Sequence, residues 1–301
     1  MAIPFHDYLE AKFALDERSL NREVESEFAR WLSGRRQLTC LDLGTGTGAS
    51  VQRLLNLATE ADVHITAVDR DRALLDIALE KTADWLRNRG SDVSAEPAGL
   101  RARRNGRDIA VDFVSSDLRH FQPDRAAGSY DAAIAHAVMD LLPLRTMAER
   151  IARWLRPQGL FYSTIDYDGE TVLFPVYADE EFENRILAVY DASMEERRVW
   201  GENSGGARSG RRLHRILAEA GFEPVAYGSS DWNITPLRRI YRDRDAVCLA
   251  ALLAMIRDEA ARSGRFPEDS LDRWHRERSD RLKAGELGLI VHQIDVLAEK
   301  V

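Results

Sequence analysis

Cysteine is scarce. Cys40 and Cys248 are the only two in 301 residues, and they form no Cys-x-x-Cys pair, so neither a disulfide framework nor a zinc cluster is expected. A basic excess is also missing: 42 lysines and arginines face 50 aspartates and glutamates, a net charge of −8, which argues against general affinity for nucleic-acid backbones. Long apolar runs are absent too, since the longest, Ala246 to Ile256, falls short of the roughly 20 residues that span a bilayer. Met1 to Asp7 has no basic stretch followed by an apolar one, so no secretory leader is expected there. With only 9 prolines and 19 glycines, the chain is neither fibrous nor disordered in composition. These absences predict a folded cytoplasmic protein with neither membrane nor nucleic acid as partner. One basic cluster, Arg101 to Arg107, surrounds Asn105-Gly106 and reads as the tip of a hairpin whose charges stay in water.

What is present alternates. Val24, Phe28 and Trp31 recur at helical spacing and predict an amphipathic helix from Leu20 that ends near Ser33-Gly34. Leu38 to Leu43 reads as a buried strand, Gly44 to Gly48 as a tight turn, and Val51, Leu54, Leu55 and Ala58 as the inner face of a helix. The pattern repeats with a strand at Val63 to Val68 and a helix from Arg72 to Asn88, closed by Gly90. Strands follow at Val111 to Ser115, Tyr130 to Ala135 and Leu160 to Ile165, the last preceded by a helix marked by Met147, Ile151, Trp154 and Leu155. Such alternation predicts an α/β fold with a mostly parallel sheet between two helical layers. Beyond it come a helix at Arg212 to Ala220, a strand at Phe222 to Ile234, two charged helices between Asp243 and Lys283, and a strand at Leu287 to Leu297.

Leu41-Asp42-Leu43-Gly44-Thr45-Gly46-Thr47-Gly48 carries the chemistry, because alternate glycines let backbone and helix start approach a ligand closely. Gly44-x-Gly46-x-x-Ala49 also satisfies a dinucleotide fingerprint. Two features separate the readings. Asp42, inside the turn's entry, would repel a pyrophosphate but suits the ammonium of an amino-acid-bearing cofactor, and Gly48 follows Gly46 by two residues rather than three.

In every position this segment resembles the first motif of class I S-adenosylmethionine-dependent methyltransferases. The resemblance implies a Rossmann-like three-layer sandwich of seven strands, the last antiparallel. It further implies that Asp69, followed by Arg70, accepts hydrogen bonds from both ribose hydroxyls, and that Asp117 receives the adenine amino group with Leu118 beside the ring. Asp117 also reads as a helix cap. Tyr130 to His136 resembles the family's fourth strand, and Leu155-Arg156-Pro157-Gln158-Gly159 the turn before its fifth, with Gln158 in place of a glycine. The expected cofactor contacts are therefore Asp42, Gly44, Thr45, Gly46, Gly48, Asp69, Arg70, Asp117, Leu118 and His136, for S-adenosylmethionine and its product S-adenosylhomocysteine.

Methyl transfer from a sulfonium is an in-line displacement whose main demand is alignment, and no metal is obligatory. His136, with Asp140 four residues on, is the candidate general base; a packed or cofactor-contacting histidine is the alternative. Asp166 and Asp168 have no partner at the fourth strand of the kind catechol-type enzymes use, so no metal is expected. Acceptor contacts are assigned to Tyr8, Lys12 and Arg22 from the N-terminus, where Lys12 or Arg22 could pair with a methionine carboxylate. Further contacts are assigned to Met139, Arg211, Trp232 and His292. The expected division is a helical cap over 1–37, a core over 38–234, a helical insertion over 235–285 acting as a lid with the cap, and a final core strand over 286–301. The expected function is methylation of a small-molecule acceptor. A dinucleotide oxidoreductase and a non-catalytic cofactor-binding module are the alternatives.

Overall fold

In the computed structural model, residues 5–301 are described; the sequence reading of residues 1–4 lies outside them. The chain opens with α1 (Phe5–Ser19) and α2 (Arg22–Leu32). Asn21 caps α2 by accepting the Glu23 and Val24 amides, and Val24, Phe28 and Leu32, a turn apart, are buried. Next come β1 (Gln37–Leu43), α3 (Ala49–Leu57), β2 (Asp62–Asp69) and α4 (Arg72–Arg87), the last capped by Asp71. A strand pair, β3 (Asp92–Glu96) and β4 (Gly99–Arg104), leads antiparallel into β5 (Arg107–Ser115) through Asn105 and Gly106, both at positive φ. The basic cluster is therefore a hairpin, as its Asn-Gly pair predicts.

The middle of the chain supplies β6 (Tyr130–His136), α5 (Leu144–Trp154) and β7 (Leu155–Phe174). Gln158 adopts φ +61°, the conformation a glycine would reach freely. Then follow α6 (Glu180–Glu195), a short hairpin of β8 (Arg198–Val199) and β9 (Glu202–Asn203), and α7 (Ser209–Glu219). The last elements are β10 (Phe222–Ser229), β11 (Trp232–Ile234), α8 (Asp245–Arg262), α9 (Glu268–Lys283) and β12 (Gly288–Lys300).

Among the described residues the main sheet has ten strands in the order β10-β12-β7-β6-β1-β2-β5-β4-β3, with β11 beside β12. The seven expected strands form its continuous centre, β5-β2-β1-β6-β7-β12-β10, and β12 runs antiparallel to both neighbours. Three strands exceed the expectation. The hairpin that feeds β5 extends one edge, and the expected sixth strand breaks at Ser230-Asp231 into β10 and β11.

Each face of the sheet has its own core. Helices α2, α3 and α4 cover one face through Phe28, Leu54 and Leu75, and α5 and α7 cover the other through Met147, Ile151 and Leu213. A third core lies beyond the sheet's C-terminal edge, where α1, α6, α8 and α9 pack on β11 and on the far half of β7. β7 runs well past Ile165, its expected end, and this extension is the platform for the third core. Within that core Glu183 of α6 pairs with Arg278 of α9, which is fully buried, while Trp274 Nε1 donates to Glu183 at 2.8 Å.

The strand bends where it leaves the sheet. Ile165 takes φ +60°, a conformation costly for a β-branched residue. The buried Asp295 carboxylate holds it there, accepting the Ile165 amide at 2.8 Å on one oxygen and the Asn21 amide at 2.8 Å on the other. Asp295 thus ties the entry of α2 to the bend beside the site. Among the described residues no helix is long and apolar enough to cross a membrane.

Candidate active site

A cavity of about 530 Å³ opens at the C-terminal edge of the sheet, where β1, β2 and β6 end. Its floor is the turn after β1. Gly44, at φ +73°, has no room for a side chain, because a Cβ would come within 2.7 Å of Val138 Cγ2. The turn's amides are largely spent internally: Gly44 and Thr45 donate to the Val68 carbonyl, Gly48 to that of Thr45, and Gly46 to Asp69 Oδ2 at 2.8 Å. A pyrophosphate cradle needs such amides free, so the turn suits close approach of an uncharged ligand segment better than a dinucleotide.

Eight of the ten expected cofactor contacts line this cavity: Gly44, Thr45, Gly46, Asp69, Arg70, Asp117 and Leu118, with His136 at the other end. Asp69 accepts the Gly46 amide on Oδ2 and the Asp71 amide on Oδ1, which leaves each oxygen a further lone pair. Asp117 caps its own turn, Oδ1 accepting the Arg119 amide at 2.7 Å, and also lines the wall. Asp117 is therefore both a cap and a lining residue of the cavity.

Asp42 and Gly48 do not line the cavity. Asp42 lies inside β1 between Ala67 and Ile134, and both its carboxylate oxygens are buried without a hydrogen-bond partner. Burial pushes its pKa up to about 6; the Ser50 and Thr45 hydroxyls soften the rise without reaching hydrogen-bonding geometry. Gly48, at φ +89°, starts α3 against Ala78, where a Cβ would come within 3.1 Å. Its absent side chain serves the packing of α3 on α4.

The opposite wall is α1, which contributes Leu9, Lys12, Phe13 and Asp16. Asp16 is the hub. Its Oδ2 accepts from Lys12 at 2.7 Å and from His136 Nε2 at 3.1 Å, and its Oδ1 accepts from Trp232 Nε1 at 2.9 Å. Burial works to raise the Asp16 pKa, but Lys12 and His136 outweigh it and hold the group well below the ordinary carboxylate range. On the other side of the ring, His136 Nδ1 meets Thr164 Oγ1 at 2.7 Å and the Arg53 guanidinium at 3.4 Å. Arginine can only donate, so Nδ1 is the acceptor and Nε2 carries the proton. Burial and the Arg53 charge pull the His136 pKa down to about 4 against the pull of Asp16.

This corrects the expected partner of His136. Asp140 turns away into the short helical turn Met139–Leu141, where Oδ1 is buried and unpartnered, and Asp16 takes its place. The sequence does signal Asp16, which stands four residues after Lys12 on one helix face. Nothing in the local sequence brings Arg53 or Thr164 to the histidine.

Two ion pairs and a hydrogen bond clamp α1 over the cavity: Glu10 with Lys81 at 2.6 Å, Glu17 with Arg53, and Asp16 with neutral His136. Arg18 pairs with Asp245 at 2.5 Å and so holds α1 to α8. The β8–β9 hairpin closes the remaining side with Val199 and Trp200, next to Arg197. No residue of 235–285 lines the cavity. The insertion expected to act as a lid instead supports α1 from behind.

Of the expected acceptor contacts, only Lys12 lines the cavity. Trp232 stands behind it, donating to Asp16, and Tyr8 packs into the third core. Arg22 is exposed on α2 and pairs with Glu25, and Met139 is buried in the core under α5. Arg211 chelates Asp168 at 2.9 and 3.0 Å, while His292 joins Asp231 at 2.8 Å, in a separate surface network. Asp166 accepts from Ser163 at 2.5 Å. Among the described residues no group of three or more His, Cys, Asp or Glu is placed to hold a metal.

The fold is the Rossmann-like architecture of methyltransferases, with the cavity at the C-terminal edge of its sheet. Residues 41–161 match the family model described as a methyltransferase domain. No curated protein matches the chain by sequence. Among solved structures, a Bacillus halodurans C-125 protein described as a methyltransferase superposes with a TM-score of 0.51 at 14% identity, covering 92% of this chain and 98% of that one. The YcgJ protein of Bacillus subtilis follows at 0.49 and 13%, covering 93% and 99%. A geranyl diphosphate methyltransferase in complex with S-adenosylmethionine gives 0.45 and 11%, covering 92% and 84%. Residues 41–161 thus resemble a methyltransferase domain, and the fold of the chain is the Rossmann-like one of such proteins.

Proposed function

We propose that the enzyme methylates a small organic molecule enclosed with the cofactor beneath α1. The observation that carries this reading is the clamp on α1. Its ion pairs to α3 and α4 and its hydrogen bond to β6 lie across the cavity, with Arg18 tied to α8 behind it, and a macromolecular acceptor would have to break them to reach the His136 end.

The cavity's chemistry fits the cofactor. Asp69 keeps spare lone pairs for a diol, Asp117 an acceptor oxygen for an amino group, and Leu118 an apolar surface for a ring. When bound, the cofactor supplies a methyl group on a positively charged sulfur. Lys12 has three donors and gives one to Asp16, so its others are available to a carboxylate in the cavity.

In this proposal His136 positions rather than deprotonates. A base works best with a pKa near the working pH, whereas His136 is pulled down to about 4, and both its ring nitrogens are engaged. Asp16 is held as an anion by its three donors. No neutral-range base stands in this wall, so the acceptor presents an atom that already has a free lone pair, such as a carboxylate oxygen or an unprotonated amine. The role of the Asp16–His136–Thr164 chain is to fix the wall against which that atom lies.

The test is label transfer. The purified enzyme, methyl-tritiated S-adenosylmethionine and a cell extract separated into small-molecule and macromolecular fractions are incubated together. Label is expected in the small-molecule fraction. Label confined to acid-precipitable protein or nucleic acid would overturn the proposal.

A further inference from the structure

The acceptor itself is the open question, and one side chain bears on it. Three cations line the cavity: Lys12, Arg70 and Arg197. Lys12 is neutralised by Asp16 at 2.7 Å, and Arg70 is exposed at the rim. Arg197 is half-buried, and among the described residues its guanidinium makes no hydrogen bond or ion pair. A desolvated charge without a partner is unfavourable, and it is found where a ligand supplies the partner.

The acids of the wall cannot serve. Asp16 is saturated by Lys12, His136 and Trp232, and Asp69 and Asp117 face the far end. Asp140 does not line the cavity, and burial drives its carboxyl toward the neutral form. The Ser204 amide donates to the Arg197 carbonyl and the Gly206 amide to that of Asp140, which sets the base of the β8–β9 hairpin beside the segment that follows His136. The hairpin neighbour of Arg197, Trp200, lines the same wall and holds φ +57° at the turn before Gly201, a sparsely populated conformation of the sort that gathers at ligand clamps. Val138 and Leu141 add apolar surface to the cavity.

We infer that the acceptor is a small organic anion, with a carboxylate or phosphate-ester group paired to Arg197 and an apolar or aromatic body against Trp200. A planar guanidinium can bind either group with two parallel hydrogen bonds. The inference rests on the small-molecule reading above and narrows it.

The test uses the full chain saturated with S-adenosylhomocysteine and three probes of similar shape: phenylacetate, phenyl phosphate and the neutral phenylacetamide. Thermal shift and calorimetry are read on the wild type, R197K and R197M. At least one anion is expected to bind the wild-type complex and the amide not. R197M should lose about tenfold or more in anion affinity, with S-adenosylhomocysteine affinity within about twofold as the measure that the variant is folded. R197K, with charge but no fork, should fall between. Four results would overturn the inference: no anion binds the wild type, the amide binds as well as the anions, anion binding survives in R197M, or R197M weakens S-adenosylhomocysteine as much as the anion. The last would assign Arg197 to the cofactor's own carboxylate. Failure of S-adenosylhomocysteine to bind the wild type would overturn the underlying reading, and this one with it.

Discussion

The two ends of the cavity are built differently. The end holding Gly44 to Gly46, Asp69 and Asp117 is made by three successive strand ends, each residue sitting in a turn that its own neighbours define. The end holding Lys12, Asp16, His136, Arg197 and Trp200 is assembled from α1, β6, the β8–β9 hairpin and, behind them, β11 and α8. The first is a local construction and the second a tertiary one. A conserved type of chemistry can reside in the first while the second changes acceptor, because altering a helix or hairpin leaves the strand-end turns intact.

The comparison can be broken most forcefully through the third core, which supports only the second end. Glu183→Ala leaves the fully buried Arg278 without its counterion, and losing one partner of a buried pair costs about 3–5 kcal/mol. Calorimetric unfolding should show a marked drop in Tm. A drop of only a degree or two would mean that the third core contributes little to the fold.

A pH series sharpens the same contrast at His136. Its folded pKa, about 4, lies below the ordinary value of 6.5, so the unfolded chain takes up the proton first as pH falls. The stability is therefore complete above 6.5 and lost between 6.5 and 4, a difference of about 3 kcal/mol at full extent. Asp42 and Asp295, both raised to about 6, slope the opposite way over that range, so the reading is the difference between wild type and His136→Gln. That difference should shrink from pH 7 to pH 4 in denaturant titrations. A constant difference would remove His136 from the list of neutral buried groups.

At the first end, Asp69→Ala removes the Gly46 tether and the acceptor proposed for two ribose hydroxyls. At about 1.5 kcal/mol for each bond to a charged group, S-adenosylhomocysteine affinity should fall about a hundredfold by calorimetry. Unchanged affinity would place the ribose elsewhere. The smallest effect is expected from Trp232→Phe, which deletes one donor to Asp16. It should cost about 1 kcal/mol of stability while turnover and cofactor affinity change together by less than tenfold. A selective collapse of turnover would instead make the Asp16 carboxylate a proton acceptor.

The same local-versus-tertiary difference decides what the sequence discloses. The glycine turn, Asp69 and Asp117 stand out because their meaning is carried within a few residues, as do the Asn105-Gly106 hairpin and the apolar spacing of α2. Lys12 is legible as a cation near the N-terminus, but its pairing with Asp16 beside Trp232 joins positions more than 200 residues apart. Arg211 and His292 look like site residues by type, yet the register of β12 on β7 turns them into a surface network with Asp168 and Asp231. α6 passes unnoticed despite Asp179 at its cap and Phe182 and Ile186 a turn apart, because its acidic first turn hides the apolar stripe. Arg197 follows that helix and is hidden with it.

The most direct measurement of whether both ends belong to one enclosed cavity is amide hydrogen exchange with and without S-adenosylhomocysteine. Slowed exchange is predicted in the turn at Gly44 to Gly48 and also through α1 and the β8–β9 hairpin. Protection of the glycine turn with α1 and the hairpin unchanged would contradict the account, leaving the cofactor in an open cleft that α1 does not cover.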